Sequence, residues 1–321
     1  MCSFTFSFNM KNFLTRILAF TFTVFLLFFV LNIFTGRYNT DPKFYKMQYK
    51  AVKETSTRID GIIIGTSHSL NAIRPSILDS TGISFYNCSL LGAGPEFYNN
   101  WYNEWYLKNR PSPKYCIIGI DLFMFDSDWL WRKFEQDSEF FTMSVFLKLL
   151  LVSDGFNKKD AVINRFPALK YRKSMLKSLN LQDGDERFPM NYYDRGYVPF
   201  QVPYDSTKYK FRKSYKIDSI QVRCFRKLVS QMVSKKVQVI FVMSPEYGFP
   251  PEYHSKVKTY QVINAMSEKY KIPVLNFNTN LRSYINEDIH YFNDWGHMSV
   301  RGSIVFSRQL TKELLRLGFH P

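Results

Sequence analysis

Cysteine is scarce in this 321-residue chain: Cys2, Cys88, Cys116 and Cys224 stand far apart, with no C-x-x-C pair among them. That excludes a disulfide-stapled scaffold and gives no footing to zinc or thioredoxin-like chemistry, which leaves buried or idle thiols. Acidic residues are also in deficit, 27 against 43 Lys and Arg, so the net charge is +16. The imbalance favours anionic partners such as nucleic acid, phosphorylated lipid headgroups or acidic glycans. Nucleic acid has no further support, because no helix-turn-helix, zinc-finger or RNA-binding signature is present. There is no internal repeat at a solenoid period, no low-complexity block and no H-E-x-x-H or comparable ligand spacing, although Glu287 and His290 lie near the histidine discussed below. No metal or other cofactor is therefore expected. Apolar residues (45%) and aromatics (18%, with 31 Phe and 21 Tyr) are plentiful enough for a sizeable core and for rings on a binding surface.

From Ile17 to Phe34 the chain carries no charge, and its only polar residues there are Thr21, Thr23 and Asn32. Eighteen such residues reach the minimum for a membrane-spanning helix. The run ends in Asn-Ile-Phe-Thr-Gly-Arg, without a small-residue cleavage site, so it reads as an uncleaved anchor over residues 17–35, between a short tail (1–16) and a juxtamembrane linker (36–59). Lys11 and Arg16 precede the span, whereas Arg37, Lys43, Lys46, Lys50 and Lys53 follow it. Counted alone, these charges leave the large domain in the cytoplasm, but long domains translocate against that bias.

Beyond the anchor, residues 60–65, 85–89, 115–121, 237–245 and 273–277 are short apolar runs with β-branched content and turn-like exits, which predict buried parallel strands. Helical patterns fall between and after them. Phe225, Leu228, Val229 and Met232 share one face, residues 255–270 look helical, and Val300, Ile304, Leu310, Leu314 and Leu317 follow a Ser299 cap. Alternation of this kind predicts an α/β fold with a five-stranded parallel sheet of order 2-1-3-4-5, a flavodoxin-like three-layer sandwich spanning residues 60–321. Residues from about 127 to 218 break the rhythm and read as a helical insertion. It carries rings (Trp129, Trp131, Phe140, Phe141, Tyr171, Tyr192, Tyr193, Tyr197) and base (Arg165, Lys170, Arg172, Lys173, Lys177), as a solvated basic helix or a cap over the site would.

Two short segments carry chemistry. Gly65-Thr66-Ser67-His68-Ser69 lies where the first strand gives way to a helix, so Ser67 is either a nucleophile in the crevice beyond the strand ends or a helix cap. In Asp294-Trp295-Gly296-His297, a carboxylate three residues before a histidine can accept the Nδ1 hydrogen and leave Nε2 as a base for a serine hydroxyl. Together, Gly65–Ser69, the segment Asn87-Cys88-Ser89-Leu90-Leu91-Gly92 and the pair Asp294-x-x-His297 resemble the first, second and last sequence blocks of the SGNH hydrolases, the GDSL esterase superfamily. Thr66 stands where that family usually has Asp. The N-terminal anchor, the long insertion and the Asp-Trp-Gly-His-Met-Ser-x-x-x-Gly ending look like the membrane-anchored branch that edits acyl groups on bacterial envelope polymers.

The resemblance implies Ser67 as nucleophile, His297 as base, Asp294 as its orienting acid, and the N–H groups of Ser67 and Gly92 as oxyanion donors. One block departs. The family's third block is G-x-N-D, whose Asn donates to the oxyanion, whereas this chain has Gly119-Ile120-Asp121-Leu122. An ionised Asp121 only accepts hydrogen bonds, so either another donor such as Asn87 or a backbone group serves, or Asp121 orders its loop. Asn87, Asp121 and Tyr247 are thus candidate residues of the site's edge. The implied activity is an ester hydrolase or O-acyltransferase acting on an acylated envelope glycan or a small acyl ester, held in the cytoplasmic membrane with its globular domain in the periplasm and alongside envelope polysaccharide biosynthesis machinery. A membrane-tethered glycan-binding or scaffold protein that has lost the oxyanion hole is the alternative.

Overall fold

The computed structural model describes residues 10–38, 43–56, 58–152, 156–170, 194–199, 215–248 and 258–320. Along the chain run α1 (Met10–Tyr38), α2 (Lys43–Glu54), β1 (Gly61–Ile64), α3 (Ser67–Ala72), β2 (Phe85–Asn87), α4 (Pro95–Asn100) and β3 (Tyr115–Gly119). They are followed by α5 (Met143–Val152), α6 (Lys158–Arg165), α7 (Ser219–Ser234), β4 (Gln238–Met243), α8 (Lys258–Tyr270), β5 (Val274–Asn276) and α9 (Val300–Arg316). The chain divides into two units, one of Met1–Asp41 with Glu135–Gly184 and one of Pro42–Phe134 with Asp185–Pro321.

In the first unit, Met10–Thr35 of α1 is long and apolar enough to cross a membrane. Its 26 residues rise about 39 Å at 1.5 Å each, against a hydrocarbon core of about 30 Å. The helix begins seven residues before the expected span and takes in Lys11 and Arg16. Asn32 accepts the N–H of Ala168 at 3.1 Å, and Phe28 packs on Phe166 with ring centroids 5.4 Å apart. Asn32 thus meets an N-terminal amide of a short helical turn, Pro167–Lys170. Arg165, at the end of α6, donates to the carbonyls of Ser138 (2.8 Å) and Phe141 (2.6 Å). Of the residues expected in the insertion, the described 135–152 and 156–170 group with the N-terminal helix, and the described 127–134, 194–199 and 215–218 with the sheet. Tyr171, Arg172, Lys173, Lys177, Tyr192 and Tyr193 lie outside the described residues.

The second unit is built on five parallel strands in the order β2-β1-β3-β4-β5, the predicted flavodoxin-like sandwich. Its central strands are apolar but for the exposed Gln238 that opens β4, because both faces are covered. On one face Ile63, Ile117, Ile240, Val242 and Leu275 pack with Phe306, Leu310 and Leu314 of α9. On the other, Phe241 meets Phe225 of α7 at 5.5 Å between ring centroids. Asp218 caps α7 by accepting the Ile220 N–H, and Ser299 caps α9 by accepting the Gly302 N–H. The buried stripe of α9 centres on Phe306, Leu310 and Leu314, while Val300, expected on it, is exposed. Residues 43–54, placed in the linker by the sequence reading, form helix α2, in which buried Gln48 donates to the carbonyls of Asn87 (2.9 Å) and Ser89 (3.2 Å). Cys88 and Cys116 are buried, and burial pushes both thiols up.

Candidate active site

Strand order reverses between β1 and β3, and the loops leaving these two strands open a crevice there, the usual ligand site of such sheets. β1 ends at Ile64, Gly65 makes the turn, and Thr66 adopts the extended conformation of an N-cap, its hydroxyl accepting the His68 N–H at 3.3 Å. Thr66 therefore does the capping. Ser67, in the first helical turn of α3, is not the cap, and its hydroxyl is left out of that interaction.

That hydroxyl meets His297. Ser67 Oγ lies 2.7 Å from His297 Nε2, and His297 Nδ1 lies 2.7 Å from Asp294 Oδ2. Ser67 and His297 are 230 residues apart in sequence, yet the segment before α9 returns to the crevice mouth above β1. Asp294 is held in place from its other oxygen, which accepts the N–H groups of Gly296 (2.9 Å) and His297 (2.7 Å). Burial alone would raise the Asp294 carboxyl. The hydrogen bond and charge of His297, with those two N–H groups, outweigh it and bring the value from 3.8 to about 2. Asp294 is thus ionised at neutral pH, acceptor-only, and fixes the His297 tautomer that offers a lone pair at Nε2.

The second sequence block arrives beside the first. Cys88 N–H donates to Ile63 O (2.7 Å) and Leu90 N–H to Gly65 O (3.1 Å), so the loop after β2 runs along the exit of β1. Gly92 has φ +61°, where side chains are strained, and an added Cβ would also fall 2.3 Å from Nε1 of Trp131. Trp131 therefore lies against Gly92 while 56% of its surface stays exposed.

Asn87 is fully buried and its amide is committed, donating to the carbonyls of Ser69 and Ile73 (3.0 Å each), while its oxygen accepts the Ser89 N–H (3.0 Å). With both amide hydrogens used, it has none for an oxyanion and serves to tie β2 to α3. Asp121 follows β3 as expected. Its Oδ2 accepts the Thr66 hydroxyl at 2.5 Å and its Oδ1 lies 3.1 Å from His68 Nδ1, so its carboxylate holds both neighbours of Ser67 and orders this loop. Tyr247 sits at the rim through its backbone, donating its N–H to Trp295 O at 2.8 Å, and its ring packs on Phe292.

Sequence reasoning gave His68 and Glu246 no role. His68 is buried, its ring edge-on to those of Phe123, Trp295 and His297 at 4.8–5.3 Å. Burial lowers its proton affinity, but Asp121, through its charge and its hydrogen bond, leads the groups that outweigh that, and the net shift is upward. Glu246, also buried, is raised to about 8, chiefly by burial, and is uncharged at neutral pH. A histidine directly after the serine was visible in the sequence, but its partners come from three distant loops.

No family model matches the chain, and no curated protein matches it. Among solved structures it is similar to a lipase/acylhydrolase from Enterococcus faecalis, 10% identical, with 79% of this chain and 94% of that one covered and a TM-score of 0.37. It is also similar to a GDSL-like lipase from Bacteroides thetaiotaomicron, 9% identical, covering 85% and 98% at a TM-score of 0.37. At that level of likeness, only the site's own geometry bears on function.

Proposed function

We propose that the chain is a serine ester hydrolase or O-acyltransferase of the SGNH type, acting on O-acyl groups of a cell-envelope polysaccharide. The observation that carries this reading is the relay Asp294–His297–Ser67, with both hydrogen bonds at 2.7 Å. In that relay His297 Nε2 takes the Ser67 proton as Oγ attacks the ester carbonyl, and the imidazolium is stabilised by Asp294. The carbonyl oxygen gathers negative charge beside the N–H groups of Ser67 and Gly92. Collapse expels the alcohol, which takes the proton from His297, and leaves an acyl-Ser67 ester. Water, or a sugar hydroxyl deprotonated by the same histidine, then accepts the acyl group.

The glycan is supported by the exposed indole of Trp131 beside Gly92, a surface on which a sugar ring stacks, and by the net charge of +16, which suits an acidic polymer. The apolar N-terminal helix supports a single-pass anchor in the cytoplasmic membrane, and an envelope polymer as substrate places the globular part in the periplasm. One feature favours the second reading, a catalytically degenerate scaffold: Asp121 supplies no side-chain donor where an Asn would.

A fluorophosphonate probe separates the two, because an activated Ser67 is labelled and Ser67→Ala is not, whereas a scaffold gives no label in either. The substrate class is tested by comparing envelope polysaccharide O-acylation, by mass spectrometry, in cells carrying the parent or Ser67→Ala. Protease added to intact spheroplasts should digest the globular part; protection until the cells are permeabilised would reverse the orientation and remove the envelope substrate.

A further inference from the structure

Asp121 poses an electrostatic difficulty that His68 resolves. A buried carboxylate at the end of β3, next to the first turn of α3, opposes the negative charge that an ester carbonyl develops on attack by Ser67. A neutral hydrogen-bond partner such as the Thr66 hydroxyl fixes its orientation but leaves its charge in place. The imidazole of His68, with Nδ1 at 3.1 Å from Asp121 Oδ1, supplies the missing countercharge from the residue directly after the nucleophile. We propose, on the premise of the acyl-transfer reading above, that His68 is a positioning residue whose imidazolium neutralises Asp121, so that this carboxylate can brace the turn Thr66–Ser67–His68 without opposing the oxyanion.

The surroundings are built for a cation there. The charged and titratable groups facing His68 are Asp121 from the loop after β3, Glu246 from the loop after β4, and Asp294 and His297 from the segment before α9. The rings of Phe123 and Trp295 stand nearly perpendicular to the imidazole, with centroids 5.3 and 5.1 Å away. The last sequence block is shaped to admit the ring: a Cβ on Gly296 would fall 2.3 Å from His68 Cε1 and 2.4 Å from Nε2, so the glycine between Asp294 and His297 is the space His68 occupies. The nucleophile segment and the Asp–His segment therefore interlock through this imidazole as well as through the triad.

The test is a double-mutant cycle on the full chain in detergent micelles, with p-nitrophenyl acetate as substrate. His68→Gln keeps an amide donor for Asp121 but removes the charge. It should lower kcat by about tenfold or more, leave KM within about twofold, and move the acid limb of the rate profile to higher pH, since an unneutralised Asp121 favours the protonated site. Adding Asp121→Asn should recover most of the lost kcat and return the limb. Bracing alone predicts the opposite, with the double variant no better than His68→Gln. That outcome, or His68→Gln within twofold of the parent, overturns the proposal. If His68→Gln fails to fold, histidine 15N spectra of His297→Gln decide: one ring should stay an imidazolium to a higher pH than the other histidines, and its absence overturns the proposal. A parent that neither turns over ester nor labels at Ser67 defeats the acyl-transfer reading itself, whereas an active parent with a flat cycle defeats only the role of His68.

Discussion

Replacing Asp294 with Asn changes one atom of the relay and leaves the shape of the site intact. The oxygen that accepts the Gly296 and His297 N–H groups is retained, but at the other position an NH2 now faces His297 Nδ1 across 2.7 Å. A neutral imidazole can meet that donor only with a lone pair at Nδ1, which puts its hydrogen on Nε2, facing Ser67, and Nε2 can no longer take the serine proton. The same replacement in other serine triads costs roughly 10⁴-fold in kcat, so a loss of about 10³-fold or more is expected here, with KM little changed. Stability changes as well. The Asp294 carboxyl falls from 3.8 to about 2 on folding, worth about 2 kcal/mol, and its side chain is 2% exposed, so solvent screens little of this. Because the folded value is depressed, that contribution is present above about pH 4 and is lost as the pH falls through about 2. Two measurements follow: p-nitrophenyl acetate turnover at pH 7, and thermal unfolding in detergent from pH 7 to pH 2. At pH 7 the Tm of Asp294→Asn should lie roughly 4–8 °C below the parent, and the gap should close towards pH 2. Turnover within tenfold of the parent, or a Tm gap independent of pH, would refute the assignment of Asp294.

Ser67→Ala and His297→Ala should each remove nearly all ester turnover, and the double variant should lose little more, because the members of a relay act as a unit; additive losses measured on p-nitrophenyl acetate would separate them. Gly92→Ala should cut kcat by about 10²-fold, since φ +61° and the Trp131 indole leave no room for a methyl and the Gly92 N–H must shift; unchanged kcat would remove it from the oxyanion site. Glu246→Gln should be nearly neutral for Tm at pH 5 and stabilising at pH 8 and above. A carboxyl raised to about 8 is protonated in the fold at the lower pH, and destabilises progressively as its unfolded form ionises more readily. A Tm difference that is constant with pH would argue against a neutral Glu246.

Much of the fold was legible because its signals are local. The β-branched runs at 60–65, 115–121 and 237–245 mark strands covered on both faces, and the face Phe225–Met232 marks the helix behind them. Helix α2 was not legible, because its tie to the sheet is a glutamine, Gln48, whose partners are backbone carbonyls some forty residues away. Val300 was misplaced on the buried face of α9 because the first turn of a helix can project past the layer it covers; the stripe that packs is set by the sheet, at Phe306, Leu310 and Leu314.

The sequence by itself determined the uncharged N-terminal run, the strand order expected of its alternating elements, and each half of the relay, since Asp294 and His297 are neighbours in one turn and Ser67 follows a strand end. Tertiary structure alone decided that the halves meet, that Thr66 rather than Ser67 caps α3, that Asn87 is spent on the carbonyls of Ser69 and Ile73, and that Asp121 is answered by His68. Patterning and capping act over one or two turns of chain and leave a record in residue spacing. The partner of a buried polar group is chosen by which loops a parallel sheet brings to its carboxyl edge, and sequence separation holds no record of that choice.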